Sequence, residues 1–476
     1  MGGPSYNRGN DPYIAHVMYG YRRVATTKGS PNPAAAWLRR IGALDGPAYR
    51  RIADALEAAV AEGELQAGDQ IPAQREVARL VGIDFTTVTR AYALARERGL
   101  IEGTTGRGTF IRSRTIENEA GLVDLSMNLP PPPAGLNLAA LLRETTGAIL
   151  ARTDPATLMA YHPGAGSLAQ RTAGAAWLAP ALGPVDPARV VVASGAQTTL
   201  SALLDHLTAP GDAILAEAFA YPGLLATAAR RGLRVIAAPL DAEGLAPDAL
   251  ERLIAEHQPR LLCCTPTFQN PTGATMSLER RRAIIDIARA AGVTIIEDDA
   301  YGLLPAAPMP ALASLWPEGV FHVATTAKAL SPGLRLAYVV APPGQAEGFA
   351  AALHAIAQMP APLMAAVVTH WIRGGVAARV LAGVREEAVA RRALAADLLP
   401  AAVGGPESLH VWLPGATASP AARERGLALV GADAFRAPGA LGEGLRISLG
   451  AAGKRAMLSR ALTELRVLTS PSVHPV

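Results

Sequence analysis

The spacing of apolar residues divides the chain into two parts of different type. In residues 47–113 apolar positions recur every three or four residues, which predicts short amphipathic helices. The predicted elements are helices at 49–60, 74–81 and 85–96 and short strands at 100–101 and 109–111. Gly82 suits the end of the second helix and Asp84 suits the N-cap of the third. Three helices followed by a small hairpin predict a winged helix-turn-helix.

From residue 124 to the end, short apolar runs alternate with helical stretches. The runs lie at 189–193, 213–216, 234–237, 260–264, 293–296, 320–324 and 335–340. Runs of this length, rich in Val, Ile and Leu, predict strands that are buried on both faces of a mostly parallel sheet. The second part is therefore expected to be a large α/β domain, residues 124–476.

Two segments show no sustained period. Residues 1–46 are rich in Gly, Pro, Asn and Arg, which favours a mostly flexible tail with a short helix near 34–41. Residues 114–123 are polar and charged and are expected to be a linker between the two domains.

The composition favours a cytoplasmic protein. Apolar runs are broken before the roughly 18–20 residues that span a bilayer, and the N-terminus has no apolar signal sequence. The two cysteines, Cys263 and Cys264, are adjacent, so they point to opposite faces of a strand and no bridge is expected. The histidines form no cluster with ligand spacing, so no metal site is expected.

The positive charge is concentrated at the N-terminal end. Residues 1–114 hold 16 Lys and Arg against 11 Asp and Glu, within a net charge of +4 for the whole chain. A local basic excess is typical of a nucleic-acid contact, although an Arg-biased composition with no such partner gives the same count. Only three lysines occur, Lys28, Lys328 and Lys454, so a lysine here is a candidate for chemistry that arginine cannot perform.

The third predicted helix carries side chains suited to DNA. The second helix of a helix-turn-helix enters the major groove, where hydroxyls and arginines contact bases and phosphates. The candidates on this helix are Thr86, Thr87, Thr89 and Arg90. Arg75 is placed for a phosphate, and Arg107 lies at the tip of the predicted wing. The alternative is that these are ordinary solvated residues of a three-helix bundle.

The large domain contains the parts of a site for an aldehyde cofactor with a phosphate and a pyridine ring. Lys328 lies among apolar residues that disfavour its charged form, which frees the amine to form a Schiff base. Arg335 offers a fork to the phosphate, and Gly195, Ala196 and Gln197 lie between a strand and a helix, where backbone N–H groups bind anions.

Further side chains complete this candidate site. Asp298 is expected to pair with the pyridine nitrogen, Tyr221 to stack on the ring, and Asn270 and Tyr301 to bond the ring hydroxyl. Arg446 suits a substrate carboxylate. Each has a structural alternative: the NPTG sequence at 270–273 forms a turn in many proteins, Asp298 could cap the next helix, and Arg446 could be a surface strand residue.

The first part resembles the winged helix of the GntR superfamily. The matching sequences are YRRIADAL at 49–56, GELQAGDQIPAQREVARLVGI at 63–83, TTVTRAY at 86–92 and GLIEGTTGRGTFI at 99–111. Many members have Ser-Arg or Thr-Arg where this chain has Asp84 and Phe85, so the resemblance implies DNA binding but does not identify the operator.

The second part resembles the fold-type I enzymes that depend on pyridoxal 5'-phosphate, the aspartate aminotransferase superfamily. The matching sequences are YHPGAG at 161–166, SGAQ at 194–197, PTFQNPTG at 266–273, EDDAYG at 297–302 and AKALSPGLRLAY at 327–338. The resemblance implies a small C-terminal α+β subdomain and the roles given above, adds Thr325 to the phosphate contacts, and implies a homodimer in which Tyr161 reaches the partner's site. Ala327 replaces the usual serine before the lysine.

The combination of the two parts resembles the MocR group of bacterial regulators. It implies a transcription regulator that senses pyridoxal phosphate, or an amine or amino-acid effector, through a Schiff base at Lys328. Two alternatives stay open: a working aminotransferase that acts on an amino acid, and a regulator that no longer binds the cofactor. The sequence does not identify the effector.

Overall fold

The computed structural model describes residues 33–62, 64–65, 69–104, 108–111, 122–162 and 164–469. The chain forms two compact units, Met1–Arg114 and Thr115–Val476. Arg107, residues 1–32 and most of the predicted linker lie outside the described residues. No helix in the described ranges is both long and apolar enough to cross a membrane.

In the described part of the first unit, three α-helices accompany a small antiparallel sheet. Its elements are a 3₁₀ helix at Pro33–Ala43, α1 (Ala48–Ala61), β1 (Gln70–Ile71), α2 (Gln74–Val81), α3 (Phe85–Glu97), β2 (Ile101–Thr104) and β3 (Gly108–Ile111). Strand β3 lies between β1 and β2 and is antiparallel to both. Ile52 and Leu56 of α1 pack with Val88 and Tyr92 of α3 in one core, which confirms the predicted winged helix-turn-helix.

The short helix expected near 34–41, within the segment predicted to be a mostly flexible tail, is present. The 3₁₀ helix at Pro33–Ala43 buries Trp37 and Ile41 in the same core as α1. Arg40 also forms ion pairs with Glu62 at 2.7 Å and Glu64 at 2.8 Å. Trp37 and Ile41 attach the helix to the core of the first unit.

The start of α3 follows the sequence prediction. Gly82 ends α2 with a φ of 69°, a left-handed conformation that glycine adopts without a steric penalty. Asp84 is the N-cap of α3, and its carboxylate accepts the backbone N–H groups of Thr86 at 3.0 Å and Thr87 at 3.2 Å.

The second unit alternates strands and helices. Its strands are β4 (Val123–Asp124), β5 (Val190–Ala193), β6 (Ala213–Glu217), β7 (Arg234–Ala238), β8 (Leu240–Asp241), β9 (Gly244–Leu245), β10 (Leu261–Cys264), β11 (Thr294–Asp298), β12 (Val320–Thr325), β13 (Ala337–Val340), β14 (His410–Pro414), β15 (Leu427–Ala428), β16 (Val430–Gly431) and β17 (Gly444–Ser448). Its α-helices are α4 (Leu138–Arg152), α5 (Pro155–Leu158), α6 (Leu168–Leu182), α7 (Ala196–Leu207), α8 (Pro222–Arg230), α9 (Pro247–His257), α10 (Leu278–Ala290), α11 (Leu312–Leu315), α12 (Thr326–Ala329), α13 (Ala346–Ala357), α14 (Pro362–Arg373), α15 (Val376–Leu398), α16 (Pro420–Glu424) and α17 (Arg455–Thr469). Short 3₁₀ helices lie at Pro187–Arg189, Pro332–Leu334 and Ala432–Ala434.

A seven-stranded sheet forms the centre of the second unit. Its strand order is β5–β13–β12–β11–β10–β6–β7, and β13 is antiparallel to both of its neighbours while the other pairs are parallel. Each of the seven predicted apolar runs overlaps one of these strands. Cys263 and Cys264 on β10 are unbridged and pack in separate cores on the two faces of the sheet.

The C-terminal part of the second unit forms the predicted small α+β subdomain. Strands β14, β17 and β16 make an antiparallel sheet that shares a core with α17 and the end of α15. Strand β4 pairs with β15, and Leu125 enters the same core. The segment that follows β4 is thereby brought next to the edge of the central sheet, where the candidate site lies.

Candidate functional site

The predicted cofactor residues gather at one edge of the central sheet. Asp298 and Thr325 are the last residues of the parallel strands β11 and β12, and Lys328 follows in α12. Gly195 follows β5, which runs in the same direction. Arg335 precedes the antiparallel β13, so it reaches the same edge. The carboxyl ends of parallel strands are the usual place for a ligand in such a sheet.

The Lys328 amine lies in an environment that favours its neutral form. Its Nζ donates a hydrogen bond of 2.6 Å to the backbone oxygen of Asn128. Burial, together with the positive charges of Arg446 and Arg335, lowers the pKa of Lys328 to about 8, against an opposing contribution from Asp298. A neutral amine is a nucleophile, so Lys328 is suited to form an imine with an aldehyde.

Asp298 presents an open acceptor to the same edge. Its Oδ1 is shielded from solvent and has no hydrogen-bond partner. Burial and the neighbouring Asp299 raise the pKa of Asp298 to about 7, although Lys328 and His322 oppose the shift. A buried acceptor without a donor is costly unless a ligand supplies one, and the N–H of a pyridinium ring is a donor of the required kind.

The backbone at the start of α7 forms a close-fitting cradle. Gly195 is the N-cap of α7 with a φ of 96°, and a Cβ at this position would lie 2.8 Å from Nη2 of Arg335. The Gln197 side chain is turned toward α8, where it donates to the Gly223 oxygen at 3.1 Å and Thr227 Oγ1 at 3.0 Å. The cradle therefore offers the backbone N–H groups of Ala196 and Gln197 to an anion, next to the guanidinium.

The hydroxyl of Thr325 takes part in the N-cap of α12. Its Oγ1 accepts the backbone N–H of Ala327 at 3.1 Å and lies 3.4 Å from the Leu336 oxygen, to which it donates. Ala327 itself contributes no hydroxyl, so this position departs from the serine that the resemblance implies.

Asn270 and Arg446 are in direct contact. Arg446 donates from Nη1 to Oδ1 of Asn270 at 2.9 Å and from Nη2 to the Ser126 oxygen, and its guanidinium lies 4.8 Å from the ring centre of Phe435. This contact engages the amide oxygen of Asn270 and leaves its Nδ2 as the atom that can donate to a ring hydroxyl. Nε of Arg446 is buried without a partner.

Tyr221 lies at the start of α8 and lines a small cavity together with Asp298. Glu217, Cys263 and Thr265 line the same cavity. Burial and the negative charge of Asp298 raise the pKa of Tyr221, so its hydroxyl stays protonated.

Asn128 joins several of these groups and was not predicted. Besides accepting from Lys328, it donates from Nδ2 to the Tyr301 hydroxyl at 2.9 Å and contacts Nδ1 of His410 at 3.0 Å. Nε2 of His410 lies 3.0 Å from the Gln269 oxygen, so Nε2 carries the proton and Nδ1 accepts. Since Tyr301 accepts from Asn128, its own proton is free to point at a ligand. No local sequence signal marks an asparagine in a proline-rich segment as part of a site.

Tyr161 stands apart from this group. Its side chain is 76 % exposed, and none of its described contacts joins it to the cofactor residues. Its predicted role in the partner subunit's site stays a prediction.

The DNA-binding candidates of the first unit lie at the exposed start of α3. The hydroxyls of Thr86 and Thr87 donate to the Asp84 carboxylate at 2.6 and 3.2 Å, and Thr89 lies within hydrogen-bond distance of the Phe85 oxygen at 2.9 Å. The Arg90 guanidinium lies 4.1 Å from the ring centre of Tyr49. Arg75 is exposed on α2, and Arg107 lies outside the described residues.

Comparison with known proteins assigns each of the two units to a protein family. Residues 120–465 match the family "Aminotransferase class I and II", and residues 48–111 match "Bacterial regulatory proteins, gntR family". The GntR match makes the first unit a DNA-binding domain.

Similar proteins combine the two units. The chain is 28 % identical to an uncharacterised HTH-type transcriptional regulator, YdeF of Bacillus subtilis, over 75 % of this chain and 79 % of that protein. It is 27 % identical to the probable rhizopine catabolism regulatory protein MocR of Rhizobium meliloti, over 70 % and 73 % of the two chains.

The fold of the second unit matches a solved aminotransferase. LysN, the alpha-aminoadipate aminotransferase of Thermus thermophilus, was solved with N-(5'-phosphopyridoxyl)-L-leucine. It superposes with a TM-score of 0.66 at 26 % identity, over 79 % of this chain and 97 % of that chain. The cofactor of this fold is pyridoxal 5'-phosphate, and the open acceptor of Asp298, the Gly195 cradle and the amine of Lys328, whose pKa is lowered, fit it. The chain therefore belongs to the class I and II aminotransferase family and carries a GntR-family DNA-binding domain at its N-terminal end.

Proposed function

We propose that this protein is a cytoplasmic transcription regulator that binds operator DNA as a homodimer and senses pyridoxal phosphate, or an amine effector, in its large unit. The observation that carries the proposal is that one chain joins a GntR domain to a cofactor site whose key groups are intact. Lys328 and Asp298 lie at one sheet edge, and Asp298 has an acceptor that the chain itself leaves open.

Each residue of the site is assigned one task. When bound, the cofactor supplies an aldehyde that exchanges reversibly between the lysine amine and the amine of a small ligand. Lys328 provides the amine, Asp298 accepts a hydrogen bond from the protonated ring nitrogen, and Tyr221 covers the ring. Asn270 and Tyr301 donate to the ring hydroxyl. The phosphate is held by Gly195, Ala196, Gln197, Thr325 and Arg335.

The effector is proposed to be a small amine that carries a carboxylate. Arg446 is the buried cation that is proposed to bind this carboxylate. It would then release its hydrogen bond to Asn270. Release of that contact is a change that only a carboxylate-bearing ligand would cause. A ligand shifts a regulator only if it binds two conformations with different affinity.

The DNA response is proposed to follow from the dimer. Tyr161 is expected to reach the partner subunit's site, so that ligand exchange in one site involves both chains. The spacing of the two winged helices would then determine which half-site spacing the dimer accepts. The DNA contacts are assigned to Arg75, Thr86, Thr87, Thr89, Arg90 and Arg107.

The test is to measure binding of the full-length protein to its own upstream DNA, with and without pyridoxal phosphate, while the visible absorbance of the bound cofactor is recorded. We expect salt-dependent, site-specific binding whose affinity changes with the cofactor. Site-specific binding that is the same with and without the cofactor would contradict the sensing role.

A second candidate function is transamination, and the intact Lys328 amine favours it. Because the pKa of this amine is lowered to about 8, a useful fraction is neutral at physiological pH. Incubation with a panel of amino acids and a keto-acid acceptor tests it. Multiple turnovers would support an enzyme, whereas conversion that stops at one equivalent of cofactor would support a sensor.

A further inference from the structure

A buried group of charged side chains lies directly behind Asp298. Glu297 and Asp299 flank Asp298 in the chain, and both are buried. His322 lies opposite Glu297 in the β11–β12 pairing and is fully buried. Its Nδ1 is 2.9 Å from Oε2 of Glu297, and its Nε2 is 3.8 Å from Oδ2 of Asp299.

Glu297 is held in its ionised form. Its two carboxylate oxygens accept the backbone N–H groups of Leu312 at 2.7 Å and Ala313 at 3.1 Å, at the start of α11. Burial would raise the pKa of Glu297, but the charge and hydrogen bond of His322 outweigh it and lower the pKa. Hydrogen bonds that are made to the charged form stabilise that form.

His322 is correspondingly held as an imidazolium. Burial alone would lower the pKa of His322, but the ion pair with Glu297 and the charges of Asp299 and Asp298 outweigh it and raise the pKa above the ordinary value. His410 shows the opposite case, because it is equally buried but contacts only the neutral groups of Asn128, Gln269 and Tyr301. Burial and the charge of Arg446 lower the pKa of His410 to about 3.

The other buried cation near these carboxylates is engaged elsewhere. Arg281 donates to the backbone oxygens of Met276, Pro310 and Pro266, each at 3.2 Å, and to Thr267 Oγ1 at 2.8 Å. Within the described part of the chain, His322 is therefore the cation that forms close ion pairs with Glu297 and Asp299.

We propose that His322 is a positioning residue for the cofactor: its positive charge, held between Glu297 and Asp299, opposes protonation of Asp298 and so favours the ionised form that pairs with the protonated ring nitrogen. Three successive carboxyl groups enter the interior here, and like charges at this distance oppose one another's ionisation. Without the imidazolium, the pKa of Asp298 rises further and a larger fraction of this carboxyl group is protonated. The hydrogen bond to the ring nitrogen then loses its charge, and the affinity for the ring falls.

The inference rests on the proposed function in one respect, the assignment of Asp298 to the ring nitrogen. The test compares two ligands of the full-length protein: pyridoxal 5'-phosphate and its 1-deaza analogue, in which a carbon replaces the ring nitrogen. The variant is His322→Asn, whose amide N–H can replace Nδ1 toward Glu297 but carries no charge. Dissociation constants are measured for wild type and variant by equilibrium dialysis.

We expect the variant to bind pyridoxal phosphate about tenfold more weakly, the equivalent of one unit in the pKa of Asp298, and to bind the deaza analogue as the wild type does. An equal loss for both ligands indicates a merely structural role and overturns the inference. If the wild type already binds both ligands equally, the Asp298 assignment fails and the role of His322 fails with it. If the variant binds pyridoxal phosphate as tightly as the wild type, the role of His322 fails while the Asp298 assignment stands.

A second variant and a direct measurement guard against a folding defect. His322→Gln places its amide near the Nε2 position and is expected to give the same ligand-dependent loss. In the cofactor-free wild type, NMR of labelled histidine is expected to show one imidazolium signal that persists at a pH where an ordinary histidine is neutral and that is missing from either variant. If every histidine is neutral at that pH, the inference is overturned.

Discussion

An aspartate at the start of α3 and an aspartate at the carboxyl edge of the central sheet have opposite environments, and their pKa values are shifted in opposite directions. Asp84 is exposed, and its carboxylate accepts four hydrogen bonds from Thr86 and Thr87, which lower its pKa to about 2. Asp298 leaves a shielded oxygen without a partner, and burial raises its pKa to about 7. The first aspartate is satisfied by its own helix, whereas the second is completed only by a group that the chain does not contain.

This difference separates a structural carboxylate from a binding one. An exposed polar group is solvated in any case, so local capping costs little and indicates no ligand. A buried acceptor without a donor lowers the stability of the fold, and it is retained where a ligand supplies the missing donor. The cofactor site is accordingly the part of the chain where substitutions should have the largest functional effect.

The largest expected effect is that of Lys328→Ala. Removal of the amine should abolish the covalent link between the cofactor and the chain, the absorbance of that link, and the response of DNA binding to an amine ligand that exchanges with Lys328. Lys454→Ala is the matched control, since this lysine lies before α17 and is exposed. A Lys328→Ala protein that still responds to an amine would contradict the sensing site.

Asp298→Asn should have the next largest effect. The amide keeps the shape of the side chain but removes the charge that faces the ring nitrogen, and breaking a buried ion pair costs about 3 kcal/mol, or roughly a hundredfold in affinity. The control is Asp186→Asn, an exposed cap at the opposite end of β5. If the two variants have equal dissociation constants for the cofactor, Asp298 does not bind the ring nitrogen.

The rate of cofactor capture should depend on pH through Lys328. The pKa of Lys328 is lowered from 10.5 to about 8, so the neutral amine increases as the pH rises through about 8. Below that pH the rate should rise about tenfold per unit, and above it the rate should level off. Stopped-flow absorbance of the cofactor-free protein measures the profile, and a midpoint near that of free lysine would show that the amine is not buried.

The smallest effect is expected at the exposed carboxylate. Asp84→Ala removes the cap of α3 and should lower the hydrogen-exchange protection of the first-turn amides severalfold, while cofactor affinity stays unchanged. Asp84→Asn keeps a capping oxygen and should restore most of the protection. Loss of cofactor binding in either variant would contradict the conclusion that Asp84 has a structural role and Asp298 a binding role.

Local patterns in the sequence determined the elements and the chemistry that lies next to them. The seven apolar runs predicted the central strands because burial on both faces requires continuous apolar residues. Lys328 and Asp298 were identified because they directly follow or end such strands, and the ends of parallel strands meet at one edge. The cap at Asp84 depends on residues within one turn, so it too is a local property.

Only the tertiary structure decided which distant groups complete the site. Asn128 accepts from Lys328 across 200 positions of sequence, and Arg446 reaches Asn270 across 176. His322 and His410 are both buried, yet the pKa of His322 is raised and that of His410 is lowered, because His322 faces carboxylates while His410 faces amide and backbone groups and the charge of Arg446. The protonation of a buried group depends on its neighbours in space, and the sequence around it does not contain them.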